Sequence, residues 1–267
     1  MRRRSFLIGM ASAALGPGVC GPVRAGAGGR VHIAVAHDAA GQQIPSDFIG
    51  LSYESAALVG GRYFTGDNRS VLGLIRLLGR DGVIRIGGNT SERTVWRARD
   101  GPISQDSFLV TPAGIDALAA VLRMLGWNIY GLNLARGTPD VAAEEASYVA
   151  RAVGENLLAF QIGNEPDGFG RWTAVRPQTY DFNAYLAEWR AFRAAIAARV
   201  PQARFAGPDV ARDTTWVGEL AAHEREDLVL LTRHYYADGP AGAPGVRSAS
   251  CCARTSKSFA CSMSLPG

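Results

Sequence analysis

Asn164-Glu165-Pro166 sets an amide, a carboxylate and a proline in a row, directly after the apolar run Leu157 to Ile162. A carboxylate can give or take a proton, and a neighbouring amide offers both a donor and an acceptor to a substrate hydroxyl. Pro166 lacks an N–H and disfavours helix at the residue before it, so Glu165 is expected where a strand stops and a loop begins. Alone, the tripeptide fits an ordinary polar turn equally well. Its surroundings decide between the two.

Those surroundings are rich in similar placements. Glu54 follows the strand-like stretch Phe48 to Tyr53, and Asn89 follows Val83-Ile84-Arg85-Ile86 and two glycines. Asn133 with Arg136, Asp209, and His234 with Tyr236 stand at or just past the ends of three further strand-like stretches, Asn128 to Leu134, Ala203 to Ala206 and Leu228 to Thr232. Helix-like stretches lie between: Ser70 to Leu78 with Leu72, Ile75 and Leu78 on one face, Thr111-Pro112 through Leu125 with Thr111 as cap, Pro139 to Val153, Pro177 to Val200, and Thr214 to Arg225. Strands alternating with helices of this length predict βαβ units and a parallel sheet, about six units in all. Periodicity does not distinguish a doubly wound sheet from a barrel. A barrel gathers every carboxyl strand end around one axis, which would turn these scattered polar residues into one pocket, and no early glycine-rich phosphate loop supports the alternative. The expected fold is therefore α/β, a (β/α)8 barrel with about six of its eight units present.

Length and composition agree with one large domain. The chain has 267 residues and is 47% apolar, enough for a sizeable core, and no interior stretch is apolar for long enough to span a bilayer. The formal charge of +4 comes from the ends. Without the eight cations of residues 1–30 and 246–267, 20 Lys and Arg face 24 Asp and Glu, which gives no basic footprint for nucleic acid. The cationic start Arg2-Arg3-Arg4 with Phe6-Leu7, then a mild small-residue apolar segment, resembles a twin-arginine export signal over residues 1–27. An exported, periplasmic or secreted protein with no lasting membrane association is expected. The four cysteines, Cys20, Cys251, Cys252 and Cys261, fall only in the ends and offer no standard metal-ligand spacing.

Four stretches together resemble glycoside hydrolase family 79, which includes heparanase and microbial β-glucuronidases: Phe48 to Glu54, Arg85-Ile86-Gly87-Gly88-Asn89-Thr90, Gln161 to Asp167, and His234-Tyr235-Tyr236. The resemblance covers roughly residues 31–240. It implies a retaining glycosidase of the clan A barrel type, acting on a β-glucuronide or related carbohydrate without cofactor or metal. It makes Glu165 the general acid/base at the end of the fourth strand, the position it also takes in the strand count above. A general acid working near neutrality needs a raised pKa. Asn164, Asn89, Glu54, His234 and Tyr236 become candidate substrate-binding residues; Asn89 could equally serve a left-handed turn, and His234 and Tyr236 could equally orient a nucleophile. Tyr53, Trp172 and Trp216 are candidate sugar-stacking walls, or else core aromatics.

Double displacement needs a second carboxylate about 5 Å from the first, and the family supplies it from the seventh strand. Glu54 and Asp209 stand at other strand ends, while Glu219, Glu224 and Glu226 lie on or after a helix and are expected to be solvated. Residues 246–267 hold six Ser, three Cys and no acid, against eight Ser and no Cys in residues 31–245. Such a shift resembles translation out of frame, so the nucleophile and the family's accessory β-domain are expected to be missing, and this chain inactive and prone to aggregate through open strand edges. Another clan A β-glycosidase, or a carbohydrate-binding fragment without turnover, are the alternatives.

Overall fold

The structure, a computed structural model, describes residues 41, 43–79, 81–97 and 103–236. In chain order the elements are β1 (Gly50–Glu54), α1 (Arg69–Leu78), β2 (Val83–Gly87), β3 (Thr94–Trp96), β4 (Phe108–Val110), α2 (Pro112–Leu125), β5 (Trp127–Leu132), α3 (Pro139–Val153), β6 (Leu157–Ile162), α4 (Phe182–Arg199), β7 (Phe205–Val210), α5 (Thr215–Glu224) and β8 (Leu228–Arg233). Six strands form one sheet in the order β1-β2-β5-β6-β7-β8, and each adjacent pair is parallel. Consecutive barrel strands are neighbours, as in a (β/α)8 barrel, and the sheet curls into a partial one. The segments 1–27 and 246–267, expected to be signal and aberrant tail, lie outside the described residues.

Residue alternation sorts the strands into two layers. Ile84, Ile86, Tyr130, Leu132, Phe160, Ile162 and Phe205 face outward into the main core beneath the helices. Inward lies a smaller layer of Ile129, Ala159 and Ala206 with Val83 and Leu158. Above it, Arg85 and Gln161 share that inward face and reach Asp209. Small residues below and polar ones above leave room for a pocket at the carboxyl ends.

Capping chemistry explains where helices start. Asp181 accepts the Ala184 amide at 2.9 Å, so α4 begins at Phe182 and not at Pro177, whose carbonyl instead closes a turn with the Tyr180 amide. Tyr185, Trp189, Phe192 and Ile196 then recur at helical spacing and are all buried, each contributing roughly 1.5–3 kcal/mol. Thr111 does occupy the cap position of α2, but its side chain accepts no capping hydrogen bond. On α1, Leu72 and Ile75 are buried whereas Leu78 is exposed. β7 runs on through Pro208 to Val210, because Pro208 sits at a register shift against β8 where its missing N–H breaks no regular ladder. The three-residue pair β3 and β4 is too short to show a period in sequence.

Candidate active site

β6 delivers Glu165 through two unusual backbone steps. Gly163 has φ +88°, and Glu165 itself is left-handed at φ +51°, ψ +47°, immediately before Pro166 opens a single 3-10 turn. A left-handed conformation costs a non-glycine residue about 1–2 kcal/mol, so neighbouring contacts must fix it. Asp209, on the adjacent β7, is left-handed as well, at φ +61°. The Glu165 amide donates to the Asp209 carbonyl at 3.0 Å.

Both carboxylates converge on one imidazole. His234 Nδ1 lies 2.6 Å from Glu165 Oε1, and Nε2 lies 3.2 Å from Asp209 Oδ2. The same Asp209 oxygen accepts from Arg85 Nη2 and Gln161 Nε2, each at 2.6 Å. Arg85 also donates to Asn164 Oδ1 at 2.9 Å and to Ser52 Oγ at 2.8 Å, and Tyr236 donates its hydroxyl to Glu165 Oε1 at 3.2 Å. The Asp209 side chain is only 3% exposed, against 14% for Glu165 and 20% for His234, so Asp209 is the buried member of the cluster while Glu165 and His234 reach the opening.

Charge follows geometry. The hydrogen bonds to Asp209 and then Glu165 push the His234 pKa up to about 9, so the ring is an imidazolium donating from both nitrogens at neutral pH. His234 in turn pulls Glu165 below the ordinary carboxylate range, outweighing its partial burial. Burial would raise Asp209, but His234 and Arg85 overcome it and keep the group ionised. The raised pKa expected of a general acid at Glu165 is therefore reversed in the ligand-free site, and the cause is the imidazolium.

The remaining candidates surround the same opening. Glu54 receives the Asn89 amide at 3.2 Å, the Thr90 amide at 2.7 Å and the Thr90 hydroxyl at 2.6 Å, so its carboxylate braces the loop after β2. The left-handed residue of that loop is Gly88 at φ +72°, and a Cβ there would strike the Glu54 carboxylate. Asn89 is thus not needed for the turn. Its side-chain oxygen accepts from Asn164 Nδ2 at 3.2 Å. Glu54, Asn89, Asn164, Glu165, His234 and Tyr236 all line one polar cavity of about 410 Å³, with Arg85 and Arg233. Trp216 is core, 4% exposed and stacked on Tyr185; Tyr53 lines the polar cavity while packing against Tyr63 and Phe64; Trp172 lines a second cavity.

Two acids not among the candidate site residues hold the backbone on either side of Glu165. Glu92 accepts the Asn164 amide on Oε1 and the Ala135 amide on Oε2 at 2.7 Å, and burial pushes its pKa up to about 7. Asp167, 3% exposed, accepts the amides of Ala211, Arg212 and Asp213, each at 2.9 Å. Glu92 thus secures the residue before Glu165, and Asp167 bolts the segment after it to the loop following β7. Asp167 closes the stretch Gln161 to Asp167, but nothing local in the sequence marks either acid as an acceptor of distant amides. Glu224 is also buried, paired with Arg190 at 2.7 Å, whereas Glu219 and Glu226 are exposed. Among the described residues no group of three or more His, Cys, Asp or Glu could hold a metal ion, and no helix is long and apolar enough to cross a membrane.

A larger cavity, about 670 Å³, opens at the opposite strand ends beside Trp127, Leu157 and Arg204. It holds none of the clustered acids and bases. The clustered acids and bases lie at the carboxyl ends of the strands, the face where (β/α)8 barrels carry their active sites.

No protein-family profile matches the chain, and no curated protein sequence does. Solved structures do. A 4-O-α-L-rhamnosyl-β-D-glucuronidase from Fusarium oxysporum 12S superposes with a TM-score of 0.57 at 16% identity, over 74% of this chain and 46% of that one. A family 51 α-L-arabinofuranosidase from Bifidobacterium longum superposes with a TM-score of 0.51 at 15% identity, over 72% of this chain and 45% of that one. The chain spans about half the length of these structures. Its fold is that of (β/α)8-barrel glycoside hydrolases, in part.

Proposed function

We propose that this is the acid/base half of a retaining β-glycosidase site for a β-D-glucuronide, with Glu165 as general acid/base. One observation carries it: Glu165, beside Asn164 at the end of the fourth barrel strand, opens into a polar cavity at the catalytic face of the barrel. One uncommitted cation on that cavity favours an acidic sugar: Arg233 lines it without a carboxylate partner among the described residues, whereas the charge of His234 is met by Glu165 and Asp209.

Glu165, protonated, gives its proton to the glycosidic oxygen as the bond to the anomeric carbon breaks, while a second carboxylate attacks that carbon. Glu165 then takes a proton from the water that displaces the second carboxylate, and the sugar leaves. The charged His234 keeps Glu165 ionised, and a substrate that turns the imidazolium away from Glu165 would let Glu165 hold the proton. Neither Glu54 nor Asp209 is free to be the nucleophile, since braces and ion pairs occupy both. On this reading the nucleophile is neither Glu54 nor Asp209, and an external nucleophile such as formate should raise turnover.

The close His234–Glu165 pair also favours a second reading, a carbohydrate-binding site without turnover. Residues 1–27 are proposed to direct export, from their cationic and small-residue pattern. Calorimetric titration with D-glucuronate, D-glucose and D-xylose tests the sugar. Glucuronate should bind roughly tenfold more tightly than the neutral sugars, with the preference lost in Arg233→Gln; equal affinities would refute the uronate reading.

A further inference from the structure

Glu165 borders two cavities. Beside the polar one lies a second of about 380 Å³, and the two share Asn89, Asn164 and Glu165. A group that protonates a leaving oxygen stands at the bond being cut, so cavities on its two sides correspond to the two sides of that bond. The second cavity differs in character. Phe169, Trp172 and Val175 form apolar walls, and Arg93 and Arg136 bring positive charge.

These two cations are not equivalent. Arg136 is paired with Asp106 at 2.7 Å. Arg93 lies over the Phe108 ring at 5.1 Å and has no carboxylate partner among the described residues. Trp172 is 40% exposed, with the Arg212 guanidinium 4.9 Å from its ring centroid and Gly168 directly against the indole. An indole packed in this way is a fixed wall, and it presents an apolar edge to whatever enters.

Resting on the glycosidase reading above, we propose that the cavity between Trp172 and Arg93 receives the leaving group of the substrate, and that this group is an aromatic ring bearing an acidic substituent. The ring lies along Trp172, with Phe169 buried behind it, and the anion meets Arg93. The sugar occupies the polar cavity next to His234. Specificity for the leaving group is thus written in a different set of residues from specificity for the sugar.

The test compares methyl, phenyl and 4-carboxyphenyl β-D-glucuronide in calorimetric titrations of the full chain. Affinity is expected to rise from methyl to phenyl to 4-carboxyphenyl, by roughly tenfold overall. Trp172→Ala should remove the phenyl gain, Trp172→Phe should retain most of it, and Arg93→Gln should remove only the carboxylate gain. If all three ligands bind wild type equally well, the leaving-group site is wrong while the sugar reading stands. If none of them binds, the sugar reading fails and takes this proposal with it. A Trp172→Ala chain that keeps its melting temperature and the full affinity series would also overturn the assignment.

Discussion

Glu165 and Asp209 are joined twice. The Glu165 amide donates to the Asp209 carbonyl at 3.0 Å, and their carboxylates take opposite nitrogens of His234 at 2.6 and 3.2 Å. Both residues hold left-handed backbones, so two strained positions on adjacent strands share one charged partner. Strain of this kind persists only where surrounding contacts over-determine it, and here Asp167 and Glu92 supply those contacts.

Asp167 is therefore expected to position Glu165. An Asn at 167 offers one acceptor oxygen where three backbone amides now converge. Asp167→Asn should cost roughly 3 kcal/mol of stability. It should also lower the His234 titration midpoint, followed by NMR of the labelled ring, because Glu165 no longer faces the imidazole squarely. Asp181→Asn, at the exposed cap of α4, should leave that midpoint unchanged. A lower melting temperature in Asp167→Asn with an unmoved His234 would mean that Asp167 only supports the fold.

The triad ties stability to pH in a definite direction. His234 is raised to about 9, so its contribution is complete below its ordinary value near 6.5 and disappears as pH climbs through 9. Glu165 and Asp209 are lowered, so theirs is present above about 4 and lost as pH falls through their folded values. Melting temperature from this source should peak between about pH 4.5 and 6.5. His234→Gln should flatten the alkaline limb; an unchanged limb would place the titrating group elsewhere.

Glu145, outside the cluster, acts in the same direction as His234 and opposite to Glu165 and Asp209. Burial pushes its pKa up to about 7, with the Tyr130 hydroxyl donating at 2.7 Å. A folded pKa above the unfolded one means that stability declines as pH rises from about 4.5 to 7, by on the order of 3 kcal/mol. In Glu145→Gln the difference in melting temperature between pH 5 and pH 8 should shrink. If it does not, Glu145 is ionised in the folded protein at both values.

The free edge of β8 predicts self-association. Among the described residues β8 pairs only with β7, and Val229, Leu230 and Leu231 are exposed. Val229→Lys should reduce light scattering at high protein concentration. No change would mean that this edge is already covered.

Sequence pattern alone specifies α3 and β6 to the residue, because Thr138-Pro139 opens a helix, Gly154 ends it, and a buried strand shows as an unbroken apolar run. It also places all six candidate site residues at strand ends, and the barrel then gathers them around one cavity. What stays illegible is whatever depends on partners distant in the chain. Glu92 and Asp167 matter because they accept amides more than forty residues away, which no local spacing announces. Glu224 has the pattern of a solvated helix acid and is buried only because α4 brings Arg190 to it. The pKa of Glu165 belongs to the same class, since its sign depends on His234, 69 residues further on.

Whether Glu165 transfers the proton in glycoside cleavage can be read from the dependence of rate on the leaving group. With formate present as external nucleophile, the full chain and Glu165→Gln are assayed on phenyl and on 2,4-dinitrophenyl β-D-glucuronide. Phenolate is a poor leaving group and needs the proton, so the variant should lose about 100- to 1,000-fold on the phenyl substrate and little on the dinitrophenyl one. Equal losses on both substrates, or none on either, would contradict the account.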